Sequence, residues 1–239
     1  NPCLALPSLA MPRLAPPPQK RARHGCLPMP NETFATDADL LDYEPRVFID
    51  MPVPPRQKLK ITDGDLAGTS LTSQTGGFAQ LLPDDVLVVR SGPGDAGAHA
   101  VASVIDDHAV ELATQPAHLD AAHALTVVAR SFAPQLQRVH AELLRTIGLD
   151  PDDPSLAIDQ SAVLSTRLMR HLAALGTLAA IYESAGAAEP DPMPLTKRAA
   201  FYRQRFNAAL LSAHVLIDTD GDGQPDVRRA LGLGRLIRA

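Results

Sequence analysis

The chain has 239 residues, of which 45% are hydrophobic and 21% charged, and its formal net charge is −5. That apolar content is enough to bury a core, which excludes disorder throughout, and the charge balance excludes a sequence-specific nucleic-acid binder. Trp is absent and aromatics reach only 4%, too few for stacking platforms, and no window approaches the roughly 18–20 apolar residues of a membrane helix. The chain reads as a mildly acidic soluble protein.

The N-terminal 55 residues hold 12 of the 22 prolines, and the first 28 carry Arg13, Lys20, Arg21 and Arg23 without a single acid. The net charge is therefore the balance of +4 in that tail and −9 in the remainder. Proline at this density supports neither helix nor paired strand. Residues 1–55 are expected to form an extended arm, with Met29 a candidate natural start. Pro7 and Pro12 interrupt the only apolar run upstream of the basic cluster, which argues against a signal peptide. Cys3 and Cys26 both lie in the tail, so the body needs no disulfide. Within the arm, Thr36 can cap a short acidic helix ended by Glu44-Pro45, with Asp37 and Asp39 in its first turn. Residues 51–55 read as an extended connector.

From 56 to 132 the apolar period is that of strands. Residues 58–62, 68–73, 85–90, 99–105, 109–113 and 124–130 form six short candidates, with a tight turn at Asp106-Asp107-His108. Close turn spacing predicts a small antiparallel barrel or sandwich.

From 133 to 217 the period becomes helical, giving an α+β fold with a β module followed by a helical bundle. Residues 134–147 place Leu136, Val139, His140, Leu143, Leu144 and Ile147 on one stripe, stopped by Gly148. A breaker-rich linker over 150–154 leads to a long helix capped by Ser165 or Thr166 and ended by Gly186. A last helix runs from a Thr196 cap to Ala213, with Tyr202, Phe206, Ala209 and Leu210 inward.

Residues 218–239 form an Asp-rich loop and a basic C-terminal arm. The loop, Asp-Thr-Asp-Gly-Asp-Gly-Gln-Pro-Asp, follows the alternating carboxylate spacing of calcium loops. Asp218, Asp220 and Asp222 can point oxygens at one hard cation, Gly223 permits the sharp turn, Gln224 offers a backbone carbonyl, and Asp226 binds directly or through water. Arg229 stands where an EF-hand carries its bidentate Glu, so the loop resembles shortened calcium loops outside true EF-hands. Four carboxylates within nine residues repel one another, which favours a structural Ca2+. In the arm, Arg228, Arg229, Leu231, Leu236 and Ile237 are candidate partner-binding residues.

Other patterns carry less. Residues 92–97 match G-x-G-x-x-G but precede a strand, so they read as a hairpin loop rather than a phosphate cradle. His118 and His123 lack a third ligand and read as surface histidines. His140, His171 and His214 have no catalytic partner by spacing. No nucleophile elbow, Walker loop or zinc-protease motif occurs, and the expectation is a protein without turnover.

The stretch Phe34-Ala-Thr-Asp-Ala-Asp-Leu-Leu-Asp-Tyr-Glu-Pro45, the small β module, and the Ala-rich helices passing through Tyr202-Arg-Gln-Arg-Phe206 into the Asp-rich loop resemble structural proteins of tailed-bacteriophage necks. The helical half is similar to head–tail connectors, or adaptors. The resemblance implies a homo-oligomeric ring between portal and tail in the virion, assembled in the host cytoplasm. Terminal arms would contact the portal, tail or stopper proteins, and DNA would pass through the ring. The β module departs from all-helical adaptors and leaves a stopper or other neck role open. The alternative from the residues themselves is a calcium-dependent extracellular binding or adhesion module.

Overall fold

The computed structural model describes residues 33–51, 56–92, 95–117, 121–149 and 160–232. The expected basic tail, the connector at 52–55, His118, the linker at 150–154, Leu236 and Ile237 lie outside them.

The β module is a closed barrel of six antiparallel strands: β1 (Arg56–Ala67), β2 (Ser70–Ser73), β3 (Val86–Gly92), β4 (Asp95–Val104), β5 (Ala109–Leu112) and β6 (Ala121–Ser131). Neighbours around the barrel run β1-β2-β5-β4-β3-β6. All six strand candidates are present, and the described residues of 92–97 are the paired strand ends of the β3–β4 hairpin, where Gly92 pairs with Asp95. Closure depends on β1, which pairs with β6 along its length and with β2 at its end. Register shifts on either side of Gly64 mark bulges that bend this long strand around the barrel. The interior is filled by Ile61, Leu66, Leu71, Leu87, Val89, Val101, Val110, Leu112, Leu125 and Val127. The β2–β3 connection crosses one end, where a 3-10 turn, Phe78–Gln80, adds Phe78 to this core.

Strand β3 shows why Val86–Val89 is continuously apolar. Leu87 and Val89 face into the barrel, whereas Val86 and Val88 belong to the second core, shared with the helices. Both faces of the strand are covered, so alternation disappears.

That second core also takes in the N-terminal segment, which corrects the expectation of an arm reaching residue 55. Helix α1 (Asp37–Tyr43) and a short helix α2 (Val47–Asp50) bury Phe34, Ala35, Leu40, Val47 and Phe48 against the barrel and bundle. The expected Thr36 cap is present as a reciprocal capping box. Asp39 N donates to Thr36 Oγ1 at 3.4 Å, and Thr36 N donates to Asp39 Oδ2 at 2.8 Å.

Helix α3 (Ala133–Thr146) buries Leu136, Val139, Leu143 and Leu144, with Ile147 at its C-cap. Gly148 follows with φ +76°, a left-handed conformation that stops the helix. Helix α4 (Thr166–Ala188) is apolar nearly all round from Leu172 to Ala179 because α1, α3 and α5 pack on it. It continues past Gly186. Ser165 precedes it but makes no side-chain cap; its Oγ accepts Leu216 N at 3.0 Å. Helix α5 (Met193–Ser212) starts three residues before the expected Thr196 cap. Pro194 sits in its first turn, where a fixed φ and a missing N–H cost nothing. Its buried side chains are Ala199, Tyr202 and Phe206.

The chain after α5 departs most from expectation. β7 (His214–Ile217) pairs antiparallel with β8 (Val227–Ala230), so the start of the expected arm folds back as a hairpin. On its other side β7 meets the stretch before α4: Leu164 N donates to the Leu216 carbonyl at 2.9 Å, and Asp218 N to that of Ala162 at 2.9 Å.

Candidate functional site

The Asp-rich loop is the turn of the β7–β8 hairpin. One carboxylate oxygen each from Asp218, Asp220 and Asp222 lie within 4.8 Å of one another. Calcium–oxygen distances of about 2.3–2.6 Å allow ligand oxygens up to about 5 Å apart across one ion. The three carboxylates are therefore close enough together to hold one metal ion. Gly223 has φ +85°, so the turn is the one its sequence position requires.

Asp226 stands outside this group. Its Oδ2 accepts Thr219 N and Thr219 Oγ1, both at 2.7 Å, and Asp220 N at 3.3 Å, bracing the loop from its closing strand. The backbone N–H of Gln224 donates to Asp222 Oδ1 at 2.7 Å. The oxygens of Asp218 accept Gly221 N at 2.5 Å and Gly223 N at 2.9 Å. Hydrogen bonding holds two of these carboxyls below the usual carboxylate range, chiefly from Gly223 N–H for Asp218 and from the Thr219 hydroxyl for Asp226. Loop donors thus offset part of the repulsion that the spacing alone suggested.

The expected partner-binding residues separate. Leu231 is buried in the chain's own helical core rather than offered outward, because its amide pairs with the Ala213 carbonyl at 3.1 Å and carries it inward. Arg229 Nη1 donates to the Ile147 carbonyl, placing a cation at the C-terminus of α3. Arg228 is exposed on β8.

Two polar groupings were not legible in the sequence. Glu44, at the C-cap of α1, accepts Tyr202 Oη at 3.0 Å and lies 3.2 Å from Arg198 Nη1, which donates to Tyr182 Oη at 3.0 Å. Burial, foremost, pushes the Tyr182 phenol up to about 12 and raises that of Tyr202 as well. Nearby, Tyr43 Oη lies 2.5 Å from His171 Nδ1 in an open cleft with Asp39, Asp42, Arg167 and Arg170. Two arginines face two carboxylates there, so the cleft has no excess of either charge. His140 Nδ1 accepts Phe34 N at 3.2 Å, a packing role. His123 Nδ1 lies 3.0 Å from Asp65 Oδ1 on the barrel surface.

The helix surfaces add a further feature. Met193, Phe201 and Leu211 on α5 are 59%, 52% and 71% exposed. The helix carries Lys197, Arg198, Arg203 and Arg205 and no acid. Arg198 pairs with Glu44 and Arg203 with Glu183 at 2.7 Å. Among the described residues Lys197 and Arg205 have no ion pair, and Arg205 lies over the Phe201 ring at 5.5 Å.

No protein-family model matches the chain, and neither a curated protein nor a solved structure shows significant similarity to it.

Proposed function

We infer that the chain is a structural protein of a tailed-phage neck, a head–tail connector or adaptor that forms a homo-oligomeric ring between portal and tail and acts through interfaces rather than turnover. The family resemblance of the segments around Phe34–Pro45 and Tyr202–Phe206 supports the phage assignment. The observation that carries the assembly role is the outward face of α5, where three large apolar side chains and two cations without an ion pair among the described residues are exposed. Monomeric proteins rarely leave such a face uncovered. In this reading Ca2+ at Asp218, Asp220 and Asp222 is structural, closing the β7–β8 hairpin, and the partners are portal, tail or stopper proteins.

Light scattering of the full chain, alone and mixed with the portal and tail proteins encoded beside it, tests this reading. The expected result is a particle of several copies. A single-chain mass under both conditions overturns it.

The geometry of the Asp218, Asp220 and Asp222 oxygens also favours a second reading, a calcium-dependent extracellular binding module. That reading predicts a single-chain mass and capture of a ligand that stops when calcium is chelated.

A further inference from the structure

Six large apolar side chains are exposed among the described residues: Leu82, Ile105, Leu164, Met193, Phe201 and Leu211. Five of them fall on two surfaces. Met193, Phe201 and Leu211 share α5 with Lys197 and Arg205, which have no ion pair among the described residues. Leu82 and Ile105 sit on one rim of the barrel. The β2–β3 connection is tied there to the β4–β5 turn by Phe78 N to the Asp107 carbonyl at 3.0 Å, and to β4 by Asp84 N to the Val101 carbonyl at 2.9 Å. Leu82 lies between these two ties, on the same rim as Ile105.

The rim is acidic. Asp84, Asp106 and Asp107 are exposed on it and have no ion pair among the described residues. Asp107 Oδ1 accepts Gly77 N at 3.1 Å and Ala79 N at 3.2 Å, and Asp106 Oδ1 accepts His108 N at 2.7 Å, so the loops that present these charges are held in place. Among the described elements, the extensive packing of α5 is against α4, so the barrel does not cover its outward face.

We propose that the outward face of α5 in one copy docks on the Leu82–Ile105 rim of the barrel in the next, Lys197 and Arg205 meeting Asp84 and Asp106 around an apolar centre of Phe201 and Leu211 against Leu82 and Ile105. The partner is a second copy of this chain, chosen by charge complementarity: one face is cationic and apolar, the other anionic and apolar, and neither has an ion pair among the described residues. Two different patches meet, so the contact is heterologous. Repeated from copy to copy it closes a ring if the rotation closes, which a self-complementary patch cannot do. Met193 to Leu211 spans about 27 Å of helix, long enough for a standard interface. The opposed charges steer the encounter, and the apolar centre supplies most of the affinity. The proposal rests on the homo-oligomeric reading above and names the surfaces that build it.

Charge reversal tests it on the full chain. Lys197→Glu with Arg205→Glu, and separately Asp84→Lys with Asp106→Lys, should each reduce the particle to the mass of a single chain. Combining all four substitutions in one chain should restore the assembly, because the swapped charges again attract. Ile105→Ser with Leu82→Ser, which changes only exposed side chains, should weaken assembly at least tenfold while leaving the melting temperature in place. A wild-type chain that assembles but ignores the rim substitutions overturns this pairing of surfaces and leaves the oligomeric reading standing. A wild-type chain that never assembles overturns both. Loss of assembly without rescue in the combined variant, at unchanged melting temperature, also overturns the pairing.

Discussion

The carboxylate of Asp37 accepts the backbone N–H of Phe132 at 2.9 Å, across 95 residues of sequence. This contact ties the first turn of α1 to the point where β6 hands over to α3, so an N-terminal segment staples barrel and bundle together. Burial raises the Asp37 carboxyl to about 6, despite hydrogen bonds from Ser131 and Phe132 that favour its ionised form.

The pH dependence follows from that shift. Between about pH 4 and 6 the folded chain keeps a proton that the unfolded chain has released, so stability falls as pH rises through this window. Above it the buried charge costs about 3 kcal/mol. Asp37→Asn keeps an oxygen for the Phe132 amide and removes the charge. Its melting temperature should exceed that of the wild type at pH 7–8 and match it near pH 4. A variant less stable than wild type at pH 8 would show that the ionised carboxylate is worth more than its burial costs.

Phe48 is fully buried, its ring 5.0 Å from that of Phe132, and its carbonyl accepts Arg130 Nη1 at 2.6 Å. Phe48→Ala should cost about 3–5 kcal/mol in denaturant unfolding, the cost of a large core truncation. A loss below about 1 kcal/mol would mean that the segment before the barrel is a loosely held arm after all.

Glu44 serves two donors from α5 while itself remaining largely buried. Glu44→Ala leaves the Tyr202 hydroxyl and the Arg198 guanidinium short of an acceptor and should cost about 1–3 kcal/mol. Glu44→Gln retains an acceptor and should cost less. The same Gln variant removes a negative neighbour that raises the Tyr202 phenol, so its absorbance titration should move to lower pH. An unchanged titration would separate Glu44 from Tyr202.

Calorimetry on the Asp-rich loop checks the metal assignment. Asp220→Asn with Asp222→Asn removes two of the three converging carboxylates and should weaken calcium binding at least tenfold. Asp226→Asn should weaken it less, because Asp226 braces the loop through Thr219 and stands outside the cluster. No heat at millimolar calcium in the wild type would leave the loop a simple hairpin turn.

Local chemistry by itself determined most of the barrel strands and helices. Short apolar patterns bounded by turns marked the six barrel strands, by alternation at 58–62 and by an unbroken apolar run at 85–90, helical spacing marked α3 and α4, and Thr36 with Asp39 marked the start of α1, because period and capping depend on residues a few positions apart. The carboxylate spacing of 218–222 was legible for the same reason. Tertiary structure decided which faces were buried and by what. Composition assigned Phe34, Leu40 and Phe48 to an arm, since proline density says how a segment extends but not whether a groove between β3 and α4 receives it. Val227 and Leu231 read as an arm because β8 exists only through pairing with β7 and packing against the end of α3. Four strand residues do not form a strand alone; the ladder and the core that hold them come from residues distant in the chain. The strand order of the closed barrel was set likewise, by which apolar faces found each other across long separations.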